Sequence, residues 1–241
     1  MENLLSTDTF FNGKVSIEQT LAGFRFSIDA VLLAAHCRIR PNGTVVDLGT
    51  GCGIVSILLS FRYPAATIYG IEIQRELARL ACRNVKKNGM QHTVHVLRSD
   101  IRTFAPETIP EPIDLVVSNP PYRKVGAGRI NPNRQRAAAR HELTVTLADV
   151  VGSARRLLGK GGRLVMIYTA ERAADLIEEM RRNAIEPKTI RCIHSKGGEA
   201  ARLLIAEGVR EGQPGMTIAP PLTLYGEDGR YCREVQQMFE P

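Results

Sequence analysis

Residues 44–59 read Thr44-Val45-Val46-Asp47-Leu48-Gly49-Thr50-Gly51-Cys52-Gly53-Ile54-Val55-Ser56-Ile57-Leu58-Leu59. A β-branched run ends in an aspartate, glycines alternate, and an apolar period of helical spacing begins. That order predicts strand, tight turn, helix. Glycines at 49, 51 and 53 let the backbone adopt positive φ and come close to a ligand. The spacing is G-x-G-x-G. A dinucleotide fingerprint would be G-x-G-x-x-G, and Ile54 stands in its last place. No G-x-x-x-x-G-K-[ST] run is present, which argues against a nucleoside triphosphate site. A glycine loop without a phosphate cradle suits a nucleoside cofactor that has no phosphates. S-adenosylmethionine fits, because its sulfonium and zwitterionic tail call for a carboxylate such as Asp47 and for backbone groups. A glycine turn with no ligand is the plainer alternative.

Outward from this stretch, the next strand is Thr67-Ile68-Tyr69-Gly70-Ile71, ending in Glu72. An acid about 20 residues past a glycine loop, at a strand end, can accept both hydroxyls of a ribose. Capping of the following helix is the competing role for Glu72. That helix, residues 75–88, carries Leu77, Leu80, Ala81 and Val85 on one face and closes at Asn88-Gly89. A third strand, Val94 to Leu97, leads to Asp100, placed to accept from an adenine amino group or simply to sit in an exposed turn. The fourth, residues 113–118, is stopped by Asn119-Pro120-Pro121-Tyr122. Proline removes a ladder donor and fixes φ, so the backbone must turn outward at the strand's carboxyl end. In open α/β sheets ligands bind along that edge. An amide beside an aromatic plate suits an amino group on a planar base or amide. A proline-rich turn with a surface tyrosine is the alternative.

From Leu115 to His141 there is no Asp or Glu, while Arg123, Lys124, Arg129, Arg134, Arg136 and Arg140 fall in the same span. Its glycines, prolines and asparagines make it a poor helix former and a loop candidate. Arginine forks pair well with phosphate, so a basic loop beside a base-accepting turn points to a nucleic-acid substrate. A solvated basic loop is the other reading. His141 is a catalytic candidate, but a packing or hydrogen-bonding histidine accounts for it more simply.

The 241 residues, 44% apolar and 24% charged, suit one α/β domain, with residues 1–40 as an N-terminal extension and helix and 210–241 as an appended strand and helix. No run is long enough to span a bilayer, and residues 1–10 lack the pattern of a signal peptide. Five scattered cysteines without a C-x-x-C pair suggest reduced thiols in a cytoplasmic protein and no zinc site. A net charge of +7 favours a polyanionic partner. Residues 1–23 read as a strand or hairpin. Ser27 or Asp29 can cap a helix with apolar positions from Val31 to Ala35, whose start would lie over the cofactor's amino-acid end. After the basic loop come a helix ending near Leu158, a strand at 163–168, a helix at 171–183, strands at 187–193 and 201–206, a strand within 217–225 and a tail helix within 230–239.

These features together resemble class I S-adenosylmethionine-dependent methyltransferases. The resemblance rests on Asp47-Leu48-Gly49-Thr50-Gly51-Cys52-Gly53, Glu72, Asp100 and Asn119-Pro120-Pro121-Tyr122. It implies a Rossmann-like α/β fold with a seven-stranded, mostly parallel sheet and helices on both faces. The runs Phe24 to Ala30, Gly128 to Asn133 and Arg140 to Glu142 are similar to those of bacterial tRNA (adenine-N6)-methyltransferases. The resemblance implies transfer of a methyl group to an adenine N6, with an RNA partner and neither membrane nor metal. Asn119, Pro120 and Tyr122 would be catalytic. Asp47, Gly49, Gly51, Gly53, Glu72, Asp100 and Asn119 would hold the cofactor, and the six cations from Arg123 to Arg140 would hold RNA. A protein-glutamine methyltransferase uses the same tetrad, but it carries a separate N-terminal helical domain and only about 40 residues precede the glycine loop here. A DNA adenine methyltransferase needs a recognition domain, and an RNA-binding module without catalysis would have no use for the glycine loop and tetrad.

Overall fold

The computed structural model describes residues 5–20, 28–121 and 145–240. Its centre is a nine-stranded sheet in which two short C-terminal strands join seven principal ones: β3 (Thr44–Leu48), β4 (Thr67–Glu72), β5 (Val94–Arg98), β6 (Leu115–Ser118), β7 (Arg163–Thr169), β8 (Ile185–His194) and β9 (Ala201–Arg210). Their order across the sheet is β5-β4-β3-β6-β7-β9-β8. Pairs from β5 through β7 are parallel, and β9 alone runs against its neighbours β7 and β8. The mostly parallel sheet expected from the sequence is present, with helices on both faces.

Alternation along the strands explains the two layers. Val45, Leu115, Val117, Val165 and Ile167 face one cluster, with α1 (Ile28–His36), α2 (Ile54–Arg62) and α3 (Arg75–Lys87). Val46, Val116, Leu164 and Met166 face the other, with α4 (Leu147–Leu157) and α5 (Ala173–Arg182). Side chains on successive strand residues point to opposite faces, and parallel strands buried on both sides read as near-continuous apolar runs. β4 follows β3 on one side, while β6 lies on its other side, so the strand order reverses between β3 and β6. A crevice opens at their carboxyl ends.

The N-terminal segment is a hairpin, β1 (Leu5–Phe10) with β2 (Val15–Thr20), as expected, and it forms a sheet of its own. The hairpin docks on α3 through two asparagines one turn apart. Asn84 Oδ1 accepts from Glu18 N and its Nδ2 donates to Glu18 O, each at 2.9 Å. Asn88 does the same for Ser16, at 2.9 and 2.8 Å. The two amides thus occupy the open edge of β2 as a neighbouring strand would, and the buried backbone groups there stay satisfied.

The C-terminal region departs from the sequence reading in detail. The strand expected within 217–225 is two short ones, β10 (Thr217–Ile218) and β11 (Leu222–Thr223), both parallel to β8. Pro220 and Pro221 separate them, because neither can donate to a ladder. The tail helix is confined to α6 (Arg233–Gln237), since residues 225–231 form a turn closed by a Tyr225–Tyr231 bridge.

Candidate active site

The glycine loop is built on the end of β4. Gly49 N and Thr50 N both donate to Ile71 O, at 2.9 and 3.0 Å, and Gly51 N donates to Glu72 Oε2 at 3.0 Å. Gly49 and Gly51 have φ of 78° and 61°, and a Cβ added at either would meet no atom within 4 Å. The loop therefore leaves open space directly above its backbone. Gly53 opens α2 at φ 87°, and a Cβ there would lie 3.2 Å from that of Ala81, so this glycine also brings α2 and α3 together.

Asp47 is buried beneath the loop. Its Oδ2 accepts from the Thr50 hydroxyl at 2.6 Å and the Ser56 hydroxyl at 2.8 Å. Burial pushes its carboxyl up to about 6, against the hydroxyl bonds that favour the anion; nearby Glu72 adds a small repulsion. Glu72 is also nearly buried, and desolvation raises its carboxyl as well. Its two oxygens accept from Gly51 N and from Gln74 N at 2.8 Å. An ionised carboxylate has about four acceptor positions, so lone pairs of Glu72 remain for a diol. Two desolvated carboxylates beside one cleft favour a cationic ligand. Cys52, between the glycines, is held as a thiol: burial pushes it up to about 11, which excludes a thiolate nucleophile at neutral pH.

Asn119 stands across the crevice. The Ser118 hydroxyl donates to Leu48 O at 2.9 Å and so clamps the end of β6 to the end of β3. Asn119 follows directly, half-buried, with Pro120 buried and Pro121 exposed. Asn119 lines a cleft with Asp47, Gly49, Gly51, Leu77 and Leu80. Its enclosed space is about 50 Å³, well below the roughly 300–1,000 Å³ of whole-ligand pockets. It is room for the methyl-bearing end of a nucleoside cofactor, whose ribose could then extend over the open loop toward Glu72. The residues fit such a group in their open backbone cradle, their carboxylates and their apolar wall. A larger concavity of about 660 Å³, lined by Arg40, Asp114 and Lys160 among others, lies at the amino-terminal ends of β6 and β7, on the opposite edge of the sheet.

Asp100 is less accessible than the sequence suggests. Arg102 holds both carboxylate oxygens, with its Nε at 3.0 Å from each and a terminal nitrogen at 2.6 Å from Oδ2. The guanidinium holds the carboxyl below its ordinary range. Asp100 can accept from an amino group once Arg102 swings aside, and the pair is solvent-exposed enough to open. Tyr122, Arg123, Lys124, Arg129, Arg134, Arg136, Arg140 and His141 lie outside the described residues, as does Ser27. No group of three or more His, Cys, Asp or Glu able to hold a metal occurs among the described residues, and no helix there is long and apolar enough to cross a membrane.

Several contributors escaped the sequence reading. Gln19 and Thr20, from the hairpin, line the cleft, and the Gln19 amide donates to Asp8. Thr50 and Ser56 hold Asp47. Asn84 Nδ2 also donates to Cys52 O at 2.9 Å, tying hairpin, α3 and glycine loop at one buried point. Leu77 and Leu80, read only as core, wall the cleft.

Residues 25–186 match the model of the methyltransferase small domain family. The chain belongs to that family. As a methyltransferase it has relatives along almost its whole length. It is 31% identical over 98% of its residues, and 95% of the relative, to the tRNA1(Val) (adenine(37)-N6)-methyltransferase of Porphyromonas gingivalis. It is 28% identical over 90%, and 89% of the relative, to the protein of that name in Tolumonas auensis. Among solved structures, a predicted O-methyltransferase of Agrobacterium tumefaciens superposes with a TM-score of 0.70 at 22% identity, covering 87% of this chain and 94% of the other. Geranyl diphosphate C-methyltransferase of Streptomyces coelicolor, solved with S-adenosyl-L-homocysteine, superposes at 0.54 and 14% identity, over 75% and 76%. These structural likenesses bear on the fold; enzyme class rests on the family.

Proposed function

We propose that this methyltransferase transfers the methyl group of S-adenosylmethionine to the exocyclic N6 amine of an adenine in RNA, in a tRNA beside the anticodon. The placement of Asn119 carries the reading: it is the first residue after β6 and faces the glycine loop across the crevice. Bound there, S-adenosylmethionine supplies a methyl group on a positively charged sulfur. Asp47 and Glu72 supply negative charge on the cofactor side, and Glu72 is also the ribose acceptor. Asp100 is the acceptor for the cofactor's adenine.

An exocyclic amine is a poor nucleophile because its lone pair is delocalised into the ring. The Asn119 side-chain oxygen and the Pro120 carbonyl accept its two N–H bonds. Nitrogen is thereby drawn toward tetrahedral geometry, with its lone pair aimed at the methyl carbon. The N–C bond forms as the S–C bond breaks, and the excess proton on nitrogen leaves to water, so no general base is required. Tyr122 stacks on the extruded base, worth about 1–3 kcal/mol, and the cations from Arg123 to Arg140 hold phosphates. The relatives named for tRNA adenine methylation support the substrate. Incubation with methyl-labelled S-adenosylmethionine and unmodified total tRNA, followed by nucleoside mass spectrometry, tests it. Label in N6-methyladenosine is expected; label in protein, or in another nucleoside only, overturns it.

A further inference from the structure

The outer face of α3 carries Arg75, Arg79, Arg83 and Lys86, all exposed. At 3.6 residues per turn these four fall within an arc of about 80°, and their Cα atoms span roughly 16 Å along the axis. Among the described residues none of them forms an ion pair; the next lysine, Lys87, is the one bound to an acid, Glu18 at 2.8 Å. Glu76 is the single acid on the helix. Helix stability does not account for the pattern. Like charges four residues apart weaken a helix, and Arg75 in the first turn opposes the macrodipole. Only Lys86, in the last turn, gains from that dipole.

The position of the stripe supplies a use. α3 begins three residues after Glu72, and Leu77 and Leu80 on its buried side line the cleft that holds Asn119. Arg98, exposed at the end of β5, lies opposite Glu72 in the β4–β5 register and adds a cation at the same rim. A row of cations with no ion pair among the described residues therefore starts beside the proposed methyl-transfer site and leads away from it along one helix. A polyanion with regularly repeated charges fits such a row.

We propose that the outer face of α3 is a phosphate track for the RNA substrate, holding backbone beyond the methylated nucleotide. The proposal rests on the RNA reading above and adds a second contact surface to it. The test compares Arg79→Gln/Arg83→Gln/Lys86→Gln with wild type and with Arg155→Gln/Lys160→Gln/Arg181→Gln. The second variant removes equal charge from α4, α5 and the turn after α4, on the other face of the sheet. Binding of unmodified tRNA is measured from 50 to 300 mM salt, with single-turnover methylation at saturating tRNA and calorimetry of S-adenosylmethionine. For the α3 variant the slope of log K against log salt is expected to fall by about two to three. KM for tRNA should rise at least tenfold, with cofactor affinity and the saturated rate within twofold of wild type. The control should keep the wild-type slope. An unchanged slope in the α3 variant, or an equal fall in the control, overturns the track while leaving RNA methylation standing. Wild type that binds tRNA without salt dependence and methylates no RNA overturns the RNA reading and the track with it.

Discussion

Replacing Asp47 by Asn separates what the buried carboxylate costs the fold from what it does for the cofactor. The Asp47 carboxyl is pushed up to about 6 from 3.8, chiefly by burial. At about 1.4 kcal/mol per pH unit, keeping it ionised at neutral pH costs the cofactor-free protein on the order of 3 kcal/mol. The sign follows from proton counts. Between pH 4 and 6 the folded state binds more protons at this site than the unfolded one, so stability falls as pH rises through that window. Asn keeps an oxygen that can accept from Thr50 and Ser56 and carries no charge. Part of the gain is offset because its NH2 meets the Ser56 backbone N–H, which now favours the carboxylate. In denaturant titrations without cofactor, Asp47→Asn should match wild type near pH 4 and exceed it by about 1–3 kcal/mol at pH 7.5. Its affinity for S-adenosylmethionine should nevertheless drop at least tenfold, and wild-type affinity should decline below pH 6 more steeply than the variant's, in which only Glu72 still titrates beside the cofactor. A variant less stable than wild type at pH 7.5, or a stability difference that ignores pH, would refute the reasoning.

Glu72→Gln offers one oxygen where Gly51 N and Gln74 N now share two, so cofactor affinity by calorimetry should weaken at least tenfold; an unchanged Kd would remove Glu72 from the site. Gly70→Ala places a methyl 2.9 Å from Thr50 Cγ2 and Oγ1, and overpacking of this kind costs about 1–3 kcal/mol. Because Thr50 anchors Asp47, the same variant should bind cofactor more weakly though residue 70 does not line the cleft; lower thermal stability with normal binding would show that the anchor is dispensable. Arg102→Ala frees the Asp100 carboxylate, so affinity for the adenosine part of the cofactor, read with S-adenosylhomocysteine, should stay level or tighten. A marked loss there would mean that Arg102 itself is a ligand.

Much of the frame was legible because it rests on local rules. Apolar strand runs, alternating glycines and the proline stop at 120–121 each constrain the backbone within a few residues, and they placed β3 to β6, the glycine loop and Asn119. What escaped depends on distant partners. Asn84 and Glu18 are 66 positions apart, and a helical asparagine reads as an ordinary polar residue until a strand edge lies beside it. The same holds for Gln19 and Thr20, which reach the cleft only because the hairpin docks on α3. Asp100 shows the opposite failure: Arg102 is two residues away, but whether it covers the carboxylate depends on the turn's geometry. The break at Pro220-Pro221 is a local signal too: two consecutive prolines cannot donate to a ladder, and they divide the one strand expected within 217–225 into β10 and β11.

Methyl transfer as proposed requires an oxygen pair at the end of β6 to grip the amine, and Asn119→Ala examines that grip most directly. With unmodified tRNA and S-adenosylmethionine both saturating, the single-turnover rate of N6 methylation should fall at least ~100-fold, as loss of an oriented polar group typically costs, while cofactor affinity stays within a few-fold of wild type. A rate equal to wild type would contradict it.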